Sequence, residues 1–131
     1  MLLEIIKKNF LQNYVSFFFG DSRAYQWPAP AGLDQFEFIN RGIGAQTSAQ
    51  AVQRFDKHVA PLHPDILLIQ TCINDLQAIP SLVDLQSWII SNCKDNIRWI
   101  VQKARIQGAI VVLTTIFPQG ETSSWTQLVL V

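Results

Sequence analysis

Charge is scarce in this chain. Only 15% of its 131 residues are Asp, Glu, Lys or Arg, ten acidic against ten basic, and the formal net charge is zero. With no basic face or run to neutralise phosphates, nucleic acid is excluded as the main partner, and there is no acidic tail. Cysteine is limited to Cys72 and Cys93, too few for a disulfide framework. Both lie in apolar segments, so two free thiols acting as small hydrophobes are expected, in a reducing compartment. No stretch reaches the roughly 18 apolar residues of a membrane span. Residues 1–8 carry charge among their apolar positions and no small-residue cleavage site, so a soluble, cytoplasmic protein is expected. No repeat, low-complexity tract or linker divides the chain, which reads as a single domain over 1–131. Metal-ligand spacing is missing, and the glycine loop at 42–45 lacks the lysine-threonine ending of a phosphate-binding loop, so neither metal nor cofactor is expected.

What the chain does have is apolar residues, 49% of the total, set out in short runs. Residues 14–19 form a run that stops on Gly20-Asp21-Ser22, as a strand buried on both faces would. Weak helical spacing at 3–11 precedes it, and a Pro- and Gly-containing loop follows to about 32. Residues 36–40 alternate and read as a more peripheral strand. Thr47 or Ser48 can cap a helix running to about 59, whose apolar face is Ala51, Val52, Phe55 and Val59. His63-Pro64-Asp65 breaks it. Residues 66–69 are a third, central strand. A long helix at 84–107 carries the stripe Leu85, Ile89, Cys93, Ile97, Ile100 and Ala104, which makes Cys93 a core position. Gly108 stops it, and a fourth buried strand spans 109–115. Strands alternating with helices predict an α/β domain with a mostly parallel sheet. The apolar ending at 128–131 is unusual for that architecture. Trp88 and Trp99 are expected to pack at the edges of the long helix, and Trp27 follows Ser22 closely enough to shape a pocket.

Three loops leave the carboxyl ends of strands: Gly20-Asp21-Ser22, residues 40–47, and Cys72-Ile73-Asn74-Asp75. A serine at that edge stands where open α/β sheets place their chemistry. Alternatively, Asp-Ser caps the helix that follows. Acyl transfer by a serine needs donors for the oxyanion, and loop amides and an asparagine supply them.

In these blocks, and in Thr114-Thr115-Ile116-Phe117-Pro118, the chain resembles the GDSL lipase/esterase family, the SGNH hydrolases. The resemblance runs from about residue 14 to 118. It implies a flavodoxin-like three-layer αβα sandwich with five parallel strands, and cleavage of a small-molecule carboxylic ester. Ser22 would be the nucleophile, and its amide, the turn of Gly44 and Ala45, and the Asn74 side chain would form the oxyanion hole. Asp21 and Asp75 would be structural neighbours of the site. Two family glycines are replaced, by Ala45 and by Cys72. The family's Asp-x-x-His base, which follows a fifth strand, has no counterpart, since no histidine follows His63. His58 and His63 precede strand three, at the opposite rim from Ser22, so neither is expected to serve as base. The chain thus reads as an SGNH hydrolase truncated before its last strand and helix, or as a catalytically dead binding module, with a strand edge open to self-association.

Overall fold

A computed structural model describes residues 13–116. The lead-in helix expected at 3–11, the apolar ending at 128–131, Phe117, Pro118 and Trp125 lie outside them. Four strands form one sheet in the order β2-β1-β3-β4: β1 (Tyr14–Gly20), β2 (Phe36–Gly42), β3 (Ile66–Gln70) and β4 (Ile110–Leu113). Every pairing is parallel. All carboxyl ends therefore share one edge, and the register sets Gly20 between Gly42 and Gln70. This is the α/β architecture expected. β1 is central, and its last five residues are buried.

Helix α1 (Ser22–Gln26) follows β1, α2 (Ser48–His58) follows β2, α3 (Ile73–Gln77) follows β3, and α4 (Gln86–Ile106) leads back to β4. α2 begins where the sequence allows a cap at either of two residues, and Thr47 takes it. Its hydroxyl accepts from the Gln50 amide while Gln50 Oε1 accepts from the Thr47 amide (2.9 Å), a reciprocal pair that satisfies two otherwise orphaned donors. The apolar face of α2 packs Ala51, Phe55 and Val59 on Phe17, Phe19, Leu67 and Ile69 of the sheet, beside Ile100 and Ala104 of α4. Phe55 meets Phe19 and Trp99 edge to face, with ring centroids 6.0 and 5.8 Å apart. On the other face, Phe18 stacks with Trp27 and Phe38 at 5.0 and 5.6 Å.

Three expectations need correction. The stripe of α4 begins at Ile89, because Leu85 falls in a 3-10 turn and is exposed, as is Trp88. β4 pairs only with β3 among the described residues, so Ile110, Val112 and Leu113 are exposed rather than buried. Cys72 and Cys93 are not free: they form a disulfide, with Cα atoms 6.0 Å apart. The exit of β3 lays Cys72 against the stripe of α4, where Cys93 is fully buried. No described helix is long and apolar enough to cross a membrane.

Candidate active site

Ser22 is the first residue of α1, and Asp21 is its cap, Oδ1 accepting from the Arg23 amide at 3.0 Å. The capping reading of Asp21-Ser22 is thus correct for Asp21 and leaves the Ser22 side chain, half-buried, without a cap to make. The turn works because of Gly20. Its φ is +148°, and a Cβ there would collide with the Gln70 backbone carbonyl, which instead accepts from the Asp21 amide (3.1 Å). Gly42 serves α1 differently. A Cβ on it would run into the backbone of Ala24 and Tyr25, so glycine lets α1 settle on β2.

Asn40 fastens that contact. Its Nδ2 donates to the carbonyls of Ala24 (2.8 Å) and Tyr25 (3.0 Å), and its Oδ1 accepts from the Gly42 amide (2.9 Å). α1 has five residues, too few to hold together alone, so this clamp keeps Ser22 in place. Asn40 belongs to the motif that carries the resemblance, yet spacing alone gave it no task.

The loop after β2 folds over the same edge. The Ile43 amide donates to the Gly20 carbonyl (3.0 Å). Ala45 then adopts φ +60°, the left-handed region, which costs a residue with a Cβ about 1 kcal/mol or more. A Cβ on the adjacent Gly44 would meet nothing within 4 Å, and both residues are exposed. Gln46 closes the loop through its carbonyl, which accepts from Asn74 Nδ2 at 2.8 Å. The second amide hydrogen of Asn74 has no partner among the described residues.

Asp75 turns away from that opening. It is buried; Oδ2 accepts from the Ser48 amide (2.8 Å) and Oδ1 from the Ser48 hydroxyl (2.7 Å), which also accepts from Asn96 Nδ2 (2.9 Å). A carboxylate set against the amino end of the 11-residue α2 is favoured by the helix dipole as well. Burial is the main influence on Asp21 and raises its pKa, the Arg23 amide and charge oppose the rise, and Asp75 adds to it.

Arg54 is the residue sequence reasoning missed. It is buried on the inner face of α2, its guanidinium 4.3 Å from the centroid of Phe19. Nη2 donates to the Gly20 carbonyl (2.9 Å) and Nε to Gln46 Oε1 (2.6 Å), so one side chain ties the first loop to the second, and through Gln46 to Asn74. Burial first, then Arg41, lowers its pKa to about 10. Among the described residues no carboxylate pairs with it. The available signal was a cation at position 54, between Ala51 and Phe55 of the apolar face.

His58 ends α2, and His63, at φ +43°, closes the 3-10 turn before β3. Both lie toward the amino ends of the strands. The five residues of β3 put about 16 Å between the two rims. Among the described residues no His, Cys, Asp and Glu cluster could hold a metal ion.

Compared by sequence, the chain matches no family profile and no curated protein. Solved structures do match it. A GDSL-like lipase from Bacteroides thetaiotaomicron aligns at TM-score 0.66 and 22% identity, over 89% of this chain and 58% of its own. A catalytic mutant of an acetylxylan esterase from Geobacillus stearothermophilus aligns at 0.64 and 19%, over 78% and 59%. A Bacteroides fragilis protein provisionally named an acylhydrolase aligns at 0.63 and 28%, over 81% and 49%. The chain spans between about half and three fifths of the length of these proteins.

Proposed function

From the fold of the GDSL/SGNH hydrolases, which this chain has, we propose that it carries the nucleophile and oxyanion half of a serine ester hydrolase. The supporting observation is that hydrogen bonds join the three strand exits at the sheet edge where Ser22 begins α1: Gly20 to Ile43, Asp21 to Gln70, and Asn74 to Gln46. Ser22 Oγ attacks the ester carbonyl carbon as its proton passes to water. The oxygen of the tetrahedral intermediate accepts from the Ser22 amide, the turn of Gly44 and Ala45, and the second hydrogen of Asn74 Nδ2. Collapse breaks the bond to the alkoxide, which takes a proton back from water and leaves as the alcohol, and a second water releases the acid from the acyl-serine and returns the proton to Ser22 Oγ. Asp21 and Asp75 hold loops and stay out of the chemistry.

The substrate class is a small carboxylic ester. The neighbours named as a lipase and an acetylxylan esterase support the class. The exposed edge of β4 is offered as a surface for self-association.

The histidines favour a second reading, a binding module without turnover. A base must come within about 3 Å of the serine oxygen, directly or through a water, and His58 and His63 stand at the far rim. A serine without its base keeps only about 10³–10⁴-fold over water. Hydrolysis of p-nitrophenyl acetate by the wild type and by Ser22→Ala separates the two readings. The hydrolase reading expects the variant to fall to the rate of buffer; equal rates for the two proteins overturn it in favour of the binding module.

A further inference from the structure

We propose that the Cys72–Cys93 disulfide is the positioning device for Asn74, a covalent brace standing in for glycine at the turn from β3 into α3. This rests on the reading of Asn74 as an oxyanion donor.

Cys72 has φ +87° and ψ −11° and precedes α3 with no side-chain cap. An L-residue with a Cβ resists that backbone, and such conformations persist only where the surroundings over-determine them. At its far end α3 is tied down, Asp75 accepting twice from Ser48 and Leu76 packing with Ile79 and Ile89, so the link acts on the near end, at residue 72. α3 has five residues, and among the described residues Asn74, its second, donates to the carbonyl of half-buried Gln46. The other end of the link is different. Cys93 is fully buried in the middle of α4, a 21-residue helix anchored in the main core by Ile100 and Ala104 and to α2 through Asn96 and Ser48. The link therefore transfers the rigidity of α4 to the residue two places before Asn74. It fixes the backbone that aims the amide across the strand exits. Cys72 and Cys93 are both fully buried, so the brace is built in rather than exposed for exchange.

The test uses the full chain and three proteins. Cys93→Ala opens the link and leaves a side chain at the left-handed position. Cys72→Gly in the Cys93→Ala background loses the same sulfur packing at position 93 but frees the backbone. A peptide digest under non-reducing conditions should show Cys72 and Cys93 joined; free thiols overturn the proposal. Amide hydrogen exchange at 73–76 should speed up about tenfold or more in Cys93→Ala, with a shift of the Asn74 side-chain NMR signal. Both should recover most of the way in the double variant. Unchanged exchange in Cys93→Ala overturns the brace. So does failure of glycine to restore protection, because lost core packing alone would leave both variants equally loose. These readouts need no turnover. Absent Ser22-dependent hydrolysis with this exchange pattern would overturn the ester-hydrolase reading and uphold the brace. An intact Ser22-dependent rate with unchanged exchange would do the reverse.

Discussion

The loops after β2 and β3 solve one problem in two ways. Each must turn with a residue in the left-handed region, and neither uses glycine: Ala45 sits at φ +60° and Cys72 at φ +87°. Ala45 is exposed, beside a Gly44 with open space around it. The smallest side chain with a Cβ, in solvent, leaves only the intrinsic backbone cost. Cys72 is buried against α4 and bonded to it. Left-handed backbone can therefore be kept either by making the residue cheap to place or by fastening it where it stands. The open loop is adaptable, and the fastened one is not.

The largest way to break this contrast lies beneath both loops. Arg54→Ala removes the donors to Gly20 and Gln46 and leaves a void on Phe19. Stranding buried acceptors and truncating a packed side chain should together cost about 3–5 kcal/mol, read as a lower midpoint in urea. Because Gln46 accepts from Asn74, exchange at Asn74 should rise as well.

A second pair of variants sharpens it. Cys72→Gly relieves the backbone but opens a link across 21 residues, worth about 3 kcal/mol in the denatured-chain account, so the protein should be clearly less stable. Ala45→Gly relieves a similar backbone strain with nothing else lost, against the entropy of an added glycine, and should move stability by less than about 1 kcal/mol. Thermal melts of the two should differ in size and, where Ala45→Gly stabilises, in sign. Equal losses would show that the brace adds nothing.

The smallest expected effect is one of pH. Asp21 sits between the two loops with its pKa raised, chiefly by burial. A group that holds its proton more tightly when folded contributes stability that is complete below its unfolded pKa and is lost as pH rises through the folded value. Asp21→Asn keeps an acceptor for the Arg23 amide and cannot ionise. Its melting temperature should change less than that of the wild type as pH rises from about 4 toward neutral. An identical pH profile in the two proteins would remove Asp21 as the cause.

Much of this is legible in the sequence. Apolar runs at 14–19 and 66–69 and the stripe at Ile89, Cys93, Ile100 and Ala104 are local signals with fixed periods. The strands and the long helix fell within a few residues of where those periods put them. The order of Gly20-Asp21-Ser22, Asn40 and Asn74-Asp75 along the chain was readable for the same reason, since each block follows a strand. Arg54 was not, because a guanidinium bonding Gly20, 34 residues away, has no local signature.

By itself, then, the sequence determined the parallel α/β plan and which loops share the carboxyl edge of the sheet, because hydrophobic periodicity acts over a few residues and strand direction follows from the crossovers. Only the tertiary structure decided how that edge is held. It showed that Ala45 and Cys72 turn left-handed without glycine, that Arg54 joins two loops from below, and that the cysteines pair instead of standing free. Each of these depends on distances between residues far apart in the chain, which packing sets and spacing does not record.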